Sequence, residues 1–145
     1  MQPDAASRTE YDPLGRFERG ESRGPLTRTD RRSWQDKSWV VGLRAGGVSK
    51  AYDWDRLKQE RVINDVVGET PSVLALAADE MSFVAFERPA DERFNISNDT
   101  LLAGRGSYDL AGHDLAVPSQ ALRAIPASQE FWHSWRTFHP GTLKY

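Results

Sequence analysis

From Ser38 to Ser97 the apolar residues come in short runs, each closed within a few positions by glycine, proline, aspartate or asparagine. A chain punctuated this often must build its core from hairpins, because few of its runs are long enough for a helix that buries a continuous face. Ser38 to Arg44 (SWVVGLR) reads as a strand rich in β-branched and aromatic residues. Ala45-Gly46-Gly47 supplies the positive φ of a tight turn, and Val48 to Tyr52 is the return strand, with Val48, Lys50 and Tyr52 on one face. Asp53 is placed to cap a short helix over Trp54 to Glu60, with Arg56, Lys58 and Arg61 on its wet side.

Val62 to Val67 (VINDVV) predicts a third strand, and Gly68-Glu69 a turn. Ser72 to Ala77 and Met81 to Arg88 form the clearest hairpin, joined by Ala78-Asp79-Glu80. The first of the two is apolar on both parities, as a central strand covered on both faces must be. Phe94 to Ser97 is expected to continue the meander, Asn98-Asp99 to turn, and Leu101 to Pro118 to give brief edge strands between glycines. The spacing then predicts a helix over Ser128 to Phe138, with Phe131, Trp132, Trp135 and Phe138 on one buried stripe, stopped by Pro140-Gly141.

Composition matters chiefly at the N-terminus. Met1 to Ser33 carries Arg8, Arg16, Arg19, Arg23, Arg28, Arg31 and Arg32 against Asp4, Glu10, Asp12, Glu18, Glu21 and Asp30, with few apolar residues. Such a segment cannot bury enough surface to offset the entropy of ordering it, so 1–33 is expected to be a disordered or extended arginine-rich arm. Residues 34–145 then form a single β-rich domain. The net charge of −2 argues against general binding to nucleic acid or acidic membranes. With no cysteine, thiol catalysis, disulfides and thiolate metal sites are excluded. No stretch approaches a membrane span and no hydrophobic signal core stands at the N-terminus, so an export signal, if the natural protein has one, is expected outside this chain.

No residue set announces a reaction. His133 and His139, six apart, diverge by about 240° on a helix, and with His113 they offer no convergent metal site. Asn64-Asp65 interrupts an apolar strand: Asp65 is a candidate general base, Asn64 an orienting amide and His133 an acid. The plainer reading is a side-chain clamp on neighbouring backbone. Trp34, Trp39 and Trp54 are candidate binding platforms if exposed and core pieces if buried. Gly46-Gly47 and Gly104-Arg105-Gly106 lack the flanking residues of a phosphate loop. Ser134 and His133 point about 100° apart and make no nucleophile pair.

Four stretches carry a resemblance: SWVVGLRAGGVSKAYDW (Ser38 to Trp54), RVINDVVGETPSV (Arg61 to Val73), FVAFER (Phe83 to Arg88) and QEFWHSWRTFHPGT (Gln129 to Thr142). From about Thr27 onward the chain resembles the bacterial domain-of-unknown-function family numbered 3179. Many members are similar but carry a Cys-x-x-Cys pair at positions matching about Ala77 and Glu80, neither of which can do thiol chemistry here. Longer members hold two copies, and this chain resembles the cysteine-less second one, with Met1 to Ser33 as the joining segment. The resemblance also implies a location outside the cytoplasm, extracytoplasmic or periplasmic.

The fold expected is therefore mainly β: an antiparallel curled sheet or partly open barrel with a short helix and a tryptophan-bearing C-terminal helix. The function expected is a non-catalytic binding or structural domain, without cofactor or metal, that meets a cysteine-containing sister domain or another protein. The alternative is a small extracytoplasmic hydrolase or lyase using Asp65 and His133.

Overall fold

The structure, a computed structural model, describes residues 33–145. The chain divides into two units, Met1–Gln35 and Asp36–Tyr145, and every strand and helix among the described residues lies in the second. The arm expected over 1–33 lies outside the described residues except for Ser33.

The second unit runs β1 (Trp39–Ala45), β2 (Val48–Asp53), α1 (Trp54–Glu60), β3 (Val62–Val67), β4 (Thr70–Leu76), β5 (Phe83–Glu87), β6 (Asn95–Ser97), β7 (Thr100–Ala103), β8 (Gly106–Tyr108), β9 (Ala127–Phe131), α2 (Trp132–Phe138) and β10 (Leu143–Lys144). It is strand-rich, with three open sheets ordered β10-β2-β1-β9, β3-β4-β5 and β6-β7-β8. Among the described residues no sheet closes into a barrel.

Local chemistry explains the turns. Gly46 and Gly47 hold φ of 57° and 77° between the paired Ala45 and Val48, the two left-handed positions of a hairpin whose twist matches its strands. Asn98 and Asp99 do the same at 49° and 61°, as short polar side chains tolerate. The Asp53 carboxylate accepts from the Arg56 N–H at 3.1 Å and starts α1.

The second sheet is packed on both faces. Leu74 and Leu76 of β4 join Val41, Leu43, Leu57 and Ile63 in one buried cluster. Val73 and Ala75, of opposite parity, join Phe86, Phe94 and Leu101 in another. β4 is thus the central, doubly covered strand its composition predicts. The meander does not continue past β5: β6 opens a separate three-stranded sheet that adds Leu101 to the second cluster and packs Ile96, Ala103 and Tyr108 against it. Further on, the Glu87 N–H donates to the Arg123 carbonyl and the Ile125 N–H to the Ala85 carbonyl, and the Arg44 N–H then donates to the Pro126 carbonyl. The chain thereby passes from the edge of β5 to the edge of β1.

The C-terminal region departs most from expectation. Ala127–Phe131 is strand, paired with β1 from Trp39↔Phe131 to Leu43↔Ala127, and the helix begins only at Trp132. The helical spacing competes with the open edge of β1, and a ladder of backbone hydrogen bonds satisfies that edge as well as the segment. The aromatic stripe is split as a result. Trp132 and Trp135 are buried, whereas Phe131 is 39% and Phe138 75% exposed. Trp135 lies flat over Gly42, donates from Nε1 to Thr142 Oγ1 at 2.9 Å, and stacks against the His139 ring. Past Gly141, β10 runs parallel to β2, the single parallel pairing among the described strands.

Candidate functional site

The polar interruption of β3 sends its two side chains to opposite faces of the second sheet, as successive strand residues must go. Asn64 faces the third sheet and closes on one peptide position: its Nδ2 donates to the Phe94 carbonyl at 3.0 Å and its Oδ1 accepts from the Phe94 N–H at 2.8 Å. Asp65 faces the first sheet, where Tyr52 donates its hydroxyl to Oδ2 at 2.8 Å and Lys50 Nζ stands 2.7 Å from the same atom. Asn64 and Asp65 therefore do not share a ligand-facing surface.

Around Asp65, Lys50, Tyr52, Tyr145, Arg56 and Glu60 form one connected cluster beside the main core. Tyr52 is fully buried, and its phenol is pushed well above the ordinary range by desolvation, reinforced by the Asp65 charge. Tyr145 lies beside it, ring centroids 5.2 Å apart, with the Arg56 guanidinium 4.7 Å and Lys50 Nζ 5.9 Å from the Tyr145 ring centroid. Its hydroxyl reaches Glu60, itself paired with Arg56, and its N–H donates to the Ala51 carbonyl. Burial raises the Tyr145 pKa, Arg56 opposes the rise and Glu60 adds to it. Each charge in this cluster has an opposite partner, and the set ties β2, α1, β3 and the C-terminal residues together.

The remaining candidates stand apart from it. His133 is exposed on α2, with Nδ1 3.4 Å from Arg136, which itself pairs with Asp36. Its neighbours are thus on α2 and the segment before β1, whereas those of Asp65 are on β2. His113 faces Asp109 at 3.7 Å on the surface. Among the described residues no three His, Asp or Glu side chains are grouped to hold a metal ion. No helix among them is long and apolar enough to cross a membrane. Trp34 belongs to the first unit, half-buried at a φ of 65°. Trp54 is half-buried against the main core, edge-on to Phe83 at 6.1 Å. Trp39 is different: 47% exposed, it stacks on Phe131 with centroids 4.2 Å apart.

The profile of the protein family of unknown function DUF3179 matches residues 1–142. The chain belongs to this family. Among curated proteins and solved structures nothing matches it. The family match reaches residue 1, well ahead of Thr27, where the sequence resemblance starts.

In this DUF3179 member the half-exposed Trp39–Phe131 stack lies at one end of the β1–β9 pairing, and an open groove of about 340 Å³ reaches the other end of β9 at Ala127. Phe83, Val84, Leu110, Ala111 and Ile125 are among the groove's other lining residues. Sequence reasoning missed Phe131 because it assigned that residue to the buried side of a helix. It also missed Arg88, whose guanidinium donates to the carbonyls of Ser72 and Asp65 and to those of Pro89, Ala90 and Glu92. The available signal was an arginine directly preceding Pro89, where a loop must be pinned. Lys50 and Tyr52 were on one face from their parity, but nothing local indicated that Asp65 would meet them.

Proposed function

We propose that this domain is a non-catalytic binding module that docks a protein partner, such as a cysteine-bearing sister domain of the same family, outside the cytoplasm. The observation that carries the reading is the half-exposed Trp39–Phe131 stack, which joins the first residue of β1 to the last residue of the end strand β9. Aromatic side chains held in place by strands offer a large apolar contact at low entropy cost, the usual makeup of an interaction hot spot. The polar groups of the core act as ties: Asp65 on Lys50 and Tyr52, Asn64 on Phe94. The hydrolase or lyase alternative needs Asp65, Asn64 and His133 around one ligand atom, and the opposite parity of Asn64 and Asp65 weighs against it. The extracytoplasmic location rests on the family resemblance, and an export-dependent reporter fused to the full gene product tests it.

Sedimentation velocity tests the docking. Mixed with a cysteine-bearing domain of the family, the chain is expected to give a faster boundary that Trp39→Ala abolishes while leaving the fold intact. No complex at any ratio, or a complex indifferent to Trp39→Ala, overturns the reading.

A further inference from the structure

Among the described residues strand β9 ends the first sheet, and its outer edge has an order that suits one particular partner. Its ladder with β1 includes hydrogen bonds from Trp132 N to Ser38 O and from Arg44 N to Pro126 O, which fixes the even-numbered residues of β9 as the inward, bonded ones. The N–H and C=O groups of Ala127, Gln129 and Phe131 therefore point away from β1, and among the described residues no backbone ladder takes them up. The Phe131 carbonyl, at the N-cap of α2, opens the helix with one lone pair and keeps the other. Edge strands are commonly blunted by lysine, proline or a bulge. β9 (ASQEF) has none of these, and its one charge, Glu130, accepts from its own neighbour Ser128 at 2.8 Å.

We infer that a second copy of this chain pairs with β9 antiparallel about a two-fold axis at Gln129, continuing the first sheet across two molecules. In that register Gln129 faces Gln129, Ala127 faces the second copy's Phe131, and Ser128 faces Glu130. The outward N–H and C=O groups of the three odd residues are satisfied reciprocally, as an isologous contact requires. No like charges meet, because Glu130 lies opposite a serine hydroxyl. Size also matches. The exposed face of each Phe131 lands on the small Ala127 of the other copy, and Ala127 lines the apolar groove with Phe83 and Leu110. The same contact covers the outer side of the Trp39–Phe131 stack.

This inference rests on the reading of that stack as a docking surface and names its partner as a second copy. Its test is the oligomeric state of the full chain alone, so it can fail while docking to a sister domain survives. Sedimentation equilibrium is expected to show a monomer–dimer equilibrium. Gln129→Pro removes an outward N–H without touching the β1 ladder and is expected to leave only monomer, with a denaturation midpoint matching that of the parent at concentrations where the parent is itself monomeric. Ser128→Glu sets carboxylates opposite each other and is expected to weaken the dimer about tenfold, whereas Ser128→Lys tightens it. The chain has no cysteine of its own, so Gln129→Cys is expected to oxidise to a covalent dimer and the exposed Ser119→Cys is not. A strict monomer up to about 1 mM, a dimer insensitive to both Gln129→Pro and Ser128→Glu, or equal cross-linking through Ser119→Cys overturns the proposal.

Discussion

Gly42→Ala is the sharpest test of how α2 is held on the first sheet. A Cβ at Gly42 falls inside the van der Waals envelope of the Trp135 ring atoms Cη2, Cζ3 and Cε3, and neither side has room to yield. Gly42 sits mid-strand, paired with Ala51 on one side and Ser128 on the other. Trp135 is 1% exposed and tethered through Nε1 to Thr142. Overpacking of this kind costs about 1–3 kcal/mol, and complete loss of the indole from its slot approaches the about 3–5 kcal/mol of a buried aromatic deletion. Against this, alanine restricts the unfolded chain and returns about 0.4–1 kcal/mol. The expected net loss is about 2 kcal/mol, or a fall of about 1 M in the urea midpoint at an ordinary slope. Urea unfolding followed by tryptophan fluorescence measures it. A double-mutant cycle with Trp135→Leu should recover part of the loss, because the shorter side chain vacates the space that the new methyl needs. A Gly42→Ala protein as stable as the parent, or a cycle with no coupling, would refute the stacking of Trp135 on β1.

Four further outcomes follow from the same geometry. Arg88→Lys keeps the charge but cannot fork to five carbonyls, and a loss of about 2 kcal/mol with faster amide exchange across Pro89–Glu92 is expected; unchanged exchange speaks against the clamp. Asn64→Ala leaves the N–H and C=O of the buried Phe94 without their partner, for about 2 kcal/mol in the same urea assay. Tyr52 has a folded pKa raised above its ordinary value near 10.0, so the native state holds its proton; stability is intact below about pH 10 and declines above it as the unfolded phenol ionises. Tyr52→Phe should flatten that alkaline decline, and an unchanged slope would count against the assignment. Asp79 is held below its ordinary value by the Ser82 and Met81 amides and the Ser82 hydroxyl, so its contribution is present above its unfolded pKa and lost as pH falls through the lower folded value; Asp79→Asn should reduce the acid-side slope of stability measured below about pH 4.

What was legible in the sequence was local. Gly46-Gly47, Asp53 as a cap, Asn98-Asp99 and the doubly apolar β4 each act within a few residues, and each sits where its side-chain chemistry puts it. Phe131 shows the limit. Its helical spacing with Trp132, Trp135 and Phe138 was genuine, yet the spacing contains no term for the open edge of β1, some ninety residues earlier in the chain, which takes up Ala127–Phe131 as strand. The same holds for β10, a two-residue parallel strand whose partner β2 is far back in sequence. Of the candidate site residues, Trp39 was offered on equal terms with Trp34 and Trp54, and nothing local set it apart: its stacking partner, like the carbonyl cage of Arg88, depends on long-range register.

The Asn64-Asp65 pair looked like chemistry because two polar residues in a buried strand have to be accounted for. In a strand covered on one face, one of them would point to water and only the other would need explaining. The second sheet is covered on both sides here, by the first sheet on one and the third on the other, and Asn64 and Asp65 are both half-buried. Both residues are therefore forced to find partners, and they find them in different layers, Asn64 in the Phe94 peptide and Asp65 in Lys50 and Tyr52. A half-buried amide that pairs with both the N–H and the C=O of Phe94, and a carboxylate shared between an ammonium and a phenol, each fix one register between sheets that apolar contact alone would leave free to slide. If that is their role, exchanging Asp65 for Asn should loosen the first sheet against the second while leaving the third in place. Amide exchange resolved by strand would then show faster opening in β2 and β10 with β6–β8 unchanged; uniform acceleration across all three sheets would mean that the pair does not act layer by layer.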